Sequence, residues 1–278
     1  MAFLRLFRLE RSIMVSLITG VAAYVAGAGT DRSLLMMLAG WFLAVGGFSL
    51  DFVADRTIDK HGPRAMIRLN PVSDGSIAPL HGLLFSLFFI AASLVVTCMV
   101  SPASLLCWVC IVSIFAGLAL HRFEGPFSRA VTLGGLQALY FIMGGMSGKL
   151  TKGIWLLAAM FFFAMTGGRW MTDVRDYLQD KETPVRTLPQ RIGIARSAWM
   201  TFLFLLISYG FSYAAVFTGE FGRWYLYLDI AFIAIGVAVG LFFVVHPTPR
   251  VAQVLVFVFM MGLGTLILLA MVLGKACR

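Results

Sequence analysis

Gly153-Ile-Trp-Leu-Leu-Ala-Ala-Met-Phe-Phe-Phe-Ala-Met-Thr-Gly-Gly168 runs sixteen positions without a charged residue. At about 1.5 Å per residue, this run and its flanks reach across a hydrocarbon core about 30 Å thick if helical. Outward from it lie eight more apolar blocks, giving nine segments at 12–30, 33–55, 78–100, 103–120, 130–148, 153–172, 197–218, 224–245 and 251–274. Ser101-Pro102 reads as a tight turn between two of them. The 278 residues are 60% hydrophobic and 13% charged, with mean hydropathy +0.91. A soluble domain carries roughly 25% charged residues. That difference excludes an ordinary soluble globule, a disordered chain and a secreted disulfide scaffold. The expectation is an all-α membrane protein, with nine transmembrane helices in one bundle and residues 1–278 forming a single integral membrane domain.

The net charge of +9 and pI of 9.8 could point to nucleic acid, but the distribution points to topology. Sixteen of the 22 Lys and Arg fall in the N-terminal lead-in and alternate loops of one side. By the positive-inside rule that side is cytoplasmic, so the N-terminus is expected inside and the C-terminus outside. The basic side meets lipid headgroups, so the lipid bilayer is an expected partner and nucleic acid is not. Met1 to Ser12 spaces Arg5, Arg8 and Arg11 among Leu and Phe without a cleavage site, and reads as an amphipathic lead-in to the first span. Cys107 and Cys110 form a CxxC inside an apolar run, without a second pair or a nearby His, and read as helix packing.

Of the 13 acidic residues, eight sit in two short segments: Asp51, Asp55, Asp59 and Asp74, then Asp173, Asp176, Asp180 and Glu182. Asp51, Asp55 and Asp59 share one helical face, as do Asp173, Asp176 and Asp180. Both sets end an apolar span on the expected cytoplasmic side, and both follow a Gly-Gly pair, Gly46-Gly47 and Gly167-Gly168. Grouped carboxylates at a membrane surface repel one another unless a cation sits between them. Two such faces supply oxygen donors of the kind Mg²⁺ prefers. Arg64 and Arg68 follow the first set, while Arg175, Lys181 and Arg186 surround the second. Guanidinium forks match phosphate oxygens. Carboxylates, Mg²⁺ and arginines beside an apolar bundle imply a phosphorylated ligand with a greasy tail, as in an isoprenyl diphosphate.

At these residues the chain resembles the UbiA superfamily of intramembrane prenyltransferases. Asp51-Phe-Val-Ala-Asp55-Arg-Thr-Ile-Asp59 is similar to the family's first motif, NxxxDxxxD, and Arg68-Leu-Asn-Pro71 to Gly75 resembles the stretch after it. Asp173-Val-Arg-Asp176-Tyr-Leu-Gln-Asp180, trailing into Thr187-Leu-Pro189 and Gly193, resembles the second motif. The resemblance implies that Asp51, Asp55, Asp59, Asp173, Asp176 and Asp180 hold two Mg²⁺ bridging the diphosphate. Arg64, Arg68, Asn70, Arg175, Lys181 and Arg186 are then candidate substrate contacts. One departure stands out: the family's leading Asn is Asp51 here.

The implied reaction is Mg²⁺-dependent transfer of an isoprenyl chain from a polyprenyl diphosphate donor to a lipophilic acceptor. The metal and arginines stabilise the departing diphosphate, and apolar and aromatic walls keep water from the allylic cation. The acceptor is left open among an aromatic or quinone precursor, a chlorophyllide and a lipid alcohol. The ThrLeuPro…Gly tail leans toward the chlorophyll, homogentisate and archaeal ether-lipid branches. Tyr177, His61 and Asn70 are polar residues that could meet the acceptor. Three rivals remain: a terpene cyclase of the same fold that needs no acceptor, a CDP-alcohol transferase, and an ion-coupled transporter. The Asp-Gly…Ala-Arg signature of CDP-alcohol transferases does not follow Asp74-Gly75. Transporter sites lie near the midplane rather than at helix ends.

Overall fold

The computed structural model describes residues 2–57, 70–121, 123, 125–181 and 186–277. Among them there is helix and no strand. The helices in chain order are α1 (Ala2–Leu6), α2 (Leu9–Val25), α3 (Thr30–Ala54), α4 (Pro79–Val100), α5 (Leu105–Ala119), α6 (Pro126–Gly145) and α7 (Lys152–Arg175). They continue as α8 (Tyr177–Asp180), α9 (Leu188–Ile192), α10 (Ile194–Val216), α11 (Arg223–Val245), α12 (Pro249–Phe257) and α13 (Gly264–Ala276). A 3₁₀ turn at Pro102–Ser104 leads into α5, at the turn expected from Ser101-Pro102.

All nine apolar segments of the sequence coincide with helix, and six of these helical stretches are long and apolar enough to cross a membrane. They are Thr30–Ala54, Pro79–Val100, Pro102–Ala119, Lys152–Arg175, Ile194–Val216 and Arg223–Val245. The other three fall short for visible reasons. Helix α2 has 17 residues. Helix α6 is diluted by Ser128, Arg129, Thr132 and Gln137. The last segment is divided between α12 and α13 by a π-helical stretch at Val258–Leu263.

The chain forms two compact units. One comprises Met1–Phe123 and Ile142–Lys149, the other Glu124–Phe141 and Leu150–Arg278. Within the first, α3 packs between α2 and α4, with α5 also against it. Small residues and hydroxyls make these approaches close. Ser16 donates to the Met37 carbonyl at 2.8 Å, Ser86 to that of Gly46 at 2.7 Å and Ser93 to that of Ala39 at 2.8 Å. Lipid tails are as apolar as Leu, so helices in a membrane associate through such tight packing and interhelical hydrogen bonds. Gly144, at the end of α6, is required by space: a Cβ there would meet the backbone carbonyl of Thr19 on α2.

Within the second unit, α7 packs on α10 and α12, and α11 on α10 and α13. Ser208 of α10 donates to the Met160 carbonyl of α7 at 3.0 Å. Helix α7 starts at the N-cap Thr151, whose hydroxyl hydrogen-bonds Glu220, and the Glu220 carboxylate accepts from the Gly153 N–H at 3.0 Å. At its other end, Trp170 is buried with Ala130 and Leu188 and donates to the Pro126 carbonyl at 3.2 Å. That packing fixes the last turn of α7, from which the second aspartate set projects.

Candidate active site

In the first unit, Asp51 lies on the last turn of α3 and Asp55 is its C-cap, the Asp55 N–H closing on the Asp51 carbonyl at 2.8 Å. Both side chains are partly buried. Asp51 Oδ2 accepts from Arg8 Nη1 at 3.4 Å, and Asp55 Oδ1 lies 3.9 Å from His121 Nδ1. Arg8 comes from the junction of α1 and α2, and its guanidinium also sits 3.9 Å from the centroid of the Phe52 ring. Asp59, Arg64, Arg68 and His61 lie outside the described residues.

The chain returns at Asn70, which is fully buried and hydrogen-bonded to backbone. Its Nδ2 donates to the Phe52 carbonyl at 2.9 Å, while its Oδ1 accepts from the N–H groups of Val72 at 3.0 Å and Ser73 at 3.3 Å. Asn70 thus ties the returning segment to the end of α3. Beneath it, Leu6, Phe52, Val53, Val72 and Ile77 form a buried apolar cluster. Asp74, just beyond, pairs with Arg5 at 2.6 Å and accepts from the Ser76 N–H at 2.8 Å. Slight burial would raise the Asp74 carboxyl, but the hydrogen bonds from Ser76 and Arg5 and the Arg5 charge outweigh it and hold the group below the usual carboxylate range.

In the second unit, Asp173 is buried on the last turns of α7, Asp176 is the α7 C-cap and Asp180 ends the short α8. Asp173 Oδ1 lies 2.9 Å from Arg169 Nη2, one helical turn earlier, yet the contact lacks hydrogen-bond alignment. Arg175 clamps its neighbour Asp176 through two bonds of 2.6 Å. Lys181 is exposed, with its Nζ 4.7 Å from the Tyr177 ring centroid, and Arg186 is exposed. Gln190 secures the segment from behind. Its Nε2 donates to the Asp180 carbonyl at 2.8 Å, and its Oε1 accepts from the Thr187 N–H at 3.1 Å. Burial, and then the charges of Asp176 and Asp173, push the Asp180 carboxyl up to about 6, against the smaller pull of Arg169 and Arg129. Carboxylates crowded in this way favour a bound cation.

The second set therefore places three aspartate candidates along one stretch of chain, with a fourth candidate, Arg175, bound to Asp176. The structure adds three arginines that the sequence placed only on the basic side: Arg8, Arg169 and Arg129. Arg169 had a signal, because it precedes Asp173 by four residues in a helix. Arg8 had none, since its contact with Asp51 spans 43 residues. Among the described residues, no three His, Cys, Asp or Glu side chains are close enough to hold a metal by themselves. The donor chemistry nevertheless fits Mg²⁺. The candidates are all carboxylates, and the buried Asp173 oxygen without an aligned donor leaves a lone pair for a ligand.

The sequence model of the UbiA prenyltransferase family matches residues 13–263. A curated relative from Halobacterium salinarum, digeranylgeranylglyceryl phosphate synthase, is 27% identical over 234 residues, covering 80% of each chain. The enzyme of the same name from Haloquadratum walsbyi is 26% identical over 235 residues, covering 81% of this chain and 79% of the relative. Among solved structures, a digeranylgeranylglyceryl phosphate synthase superposes with a TM-score of 0.81 at 20% identity, over 100% of this chain and 98% of that one. A UbiA homologue from Archaeoglobus fulgidus bound to GPP and Mg²⁺ superposes with a TM-score of 0.76 at 17% identity, over 99% of this chain and all of that one.

Proposed function

The chain belongs to the UbiA prenyltransferase family, and from that membership we propose that it transfers an isoprenyl chain from a prenyl diphosphate to a lipid alcohol, with Mg²⁺ at the two aspartate sets. The observation that carries the metal assignment is the crowded second set, where burial and then the charges of Asp176 and Asp173 raise the Asp180 carboxyl. The relatives' names, synthases of digeranylgeranylglyceryl phosphate, support an acceptor of the phosphoglycerol lipid class.

Asp51, Asp55 and Asp59 of the first motif and Asp173, Asp176 and Asp180 of the second are the proposed ligands. Bound Mg²⁺ supplies positive charge to the departing diphosphate. The protein's own groups do the rest. Arg64, Arg68, Lys181 and Arg186 are proposed diphosphate contacts, two of them beyond the described residues. Arg175, now engaged with Asp176, can exchange that partner for a phosphate oxygen. Arg169, 2.9 Å from Asp173, offsets part of the cost of burying that carboxylate. The apolar helices exclude water, so that the allylic carbon meets the acceptor rather than hydroxide. The proposed orientation puts both motifs and the site opening on the cytoplasmic face, in line with the charge bias of the loops.

The test is turnover by purified protein with Mg²⁺ and a prenyl diphosphate, with and without a phosphoglycerol lipid alcohol. Prenylated lipid and released diphosphate, both dependent on the metal and the acceptor, are expected. Hydrocarbon or terpene alcohol formed without an acceptor would identify a cyclase instead.

A further inference from the structure

Two arginines of the N-terminal lead-in grip aspartates of the first unit. Arg5 pairs with Asp74, and Arg8 pairs with Asp51, which opens the first motif. The grip is built in. Arg8 has φ 41° and ψ 55°, a left-handed backbone that L-residues other than Gly rarely adopt, and it sits between α1 and the start of α2. The turn around it is fixed from both sides. Ser12 donates to the Phe7 carbonyl at 2.6 Å, and buried Ser49 of α3 donates to the Leu6 carbonyl at 3.2 Å. The Arg8 guanidinium lies 3.9 Å from the Phe52 ring centroid and 5.7 Å from that of Phe48, so it is held against α3 beside Asp51. Asp51 stands where the family motif carries a neutral Asn, so this chain has one more negative charge in its first set.

We propose that Arg8 is a positioning residue that acts through Asp51: it offsets the added charge and holds that carboxylate at the metal face, so Arg8 and Asp51 together do what a neutral residue does in the family motif. This inference rests on the reading of the first motif as a Mg²⁺ site. Removing the cation alone leaves Asp51 uncompensated and tightens the site's hold on Mg²⁺. Removing the carboxylate alone leaves an unpaired guanidinium that repels Mg²⁺. Removing both restores the balance. A purely structural strap would give no such opposition of sign.

The experiment follows thermal unfolding of the full-length protein in detergent, by tryptophan fluorescence, while Mg²⁺ alone is titrated. Arg8→Gln should reach half of its Mg²⁺ stabilisation at about three- to fivefold less metal, and Asp51→Asn at about three- to fivefold more, the upper part of the range for a partly exposed ion pair. Arg8→Gln/Asp51→Asn should return to within about twofold of the parent, and Arg8→Lys, which keeps the charge, should stay there too. Should Arg8→Gln fail to fold, Asp51→Asn and Arg8→Lys still decide the matter: a raised metal requirement in the first and an unchanged one in the second support the pairing. Shifts of the same sign in both single variants, adding in the double, would overturn the inference, as would an Arg8→Gln midpoint equal to the parent's. If the parent itself gains no stability from Mg²⁺, the metal reading falls and takes this inference with it.

Discussion

Asp180→Asn separates what is good for stability from what is good for activity. The Asp180 carboxyl is buried and pushed up to about 6, first by burial and then by Asp176 and Asp173, whereas in the unfolded chain it titrates near 3.8. Between those values the metal-free folded protein holds a proton that the unfolded chain has released. The group's contribution is therefore fully present below about pH 4 and is lost as pH rises through about 6. At pH 7.5 the folded state must carry an ionised carboxylate in an unfavourable place. A shift of this size corresponds to about 3 kcal/mol before solvent screening and about 1–2 kcal/mol after it. Asn is nearly isosteric, and the backbone contacts of Asp180 with Gln190 and Asp176 do not involve the carboxylate. In EDTA at pH 7.5, Asp180→Asn should thus raise the unfolding midpoint by a few degrees, with about half that gain at pH 5. Added Mg²⁺ should stabilise the parent more than the variant, and turnover of the variant should collapse. The assay is thermal unfolding at the two pH values, with EDTA and with Mg²⁺. A variant less stable than the parent in EDTA at pH 7.5 would refute the charge-crowding argument.

Asp55→Ala and Asp176→Ala should each abolish Mg²⁺-dependent turnover while leaving a folded, detergent-soluble protein by circular dichroism and size exclusion; near-full activity in either would sink the carboxylate assignment. Asn70→Ala should destabilise by about 1–3 kcal/mol, because it strips partners from the Phe52 carbonyl and the Val72 and Ser73 N–H groups in a buried place; an unchanged denaturation midpoint would contradict this. Gly144→Leu should cost about 1–3 kcal/mol or more through its clash with the Thr19 backbone, read as a lowered unfolding midpoint or loss of folded yield.

The helices were legible because membrane spans are written in runs of apolar residues that side chains alone determine. The uncharged run from Gly153 falls inside α7, and the turn at Ser101-Pro102 divides α4 from α5, where Pro can start a helix but cannot continue one. Span number was harder to read. Helix α6 mixes Arg129 and Gln137 into an apolar frame, and the last segment relaxes into a π stretch that hydropathy does not register. The aspartates proposed for the site were picked out by their i, i+3 and i+4 spacing. Their counter-ions were only half legible. Arg169 could be found from helical periodicity, but Arg8 reaches Asp51 through a left-handed turn and a tertiary contact that no local pattern encodes. Asn70, which the sequence offered as a substrate or acceptor contact, is buried because three backbone groups around the end of α3 need its amide.

The central claim is tested most directly by mass spectrometry on the purified protein, supplied with prenyl diphosphates of increasing length, with or without Mg²⁺ and with or without a phosphoglycerol lipid alcohol. The account predicts that diphosphate is released and the lipid gains the mass of one prenyl chain only when donor, acceptor and Mg²⁺ are all present. Donor consumed equally well without an acceptor, or left intact under every condition, would contradict it.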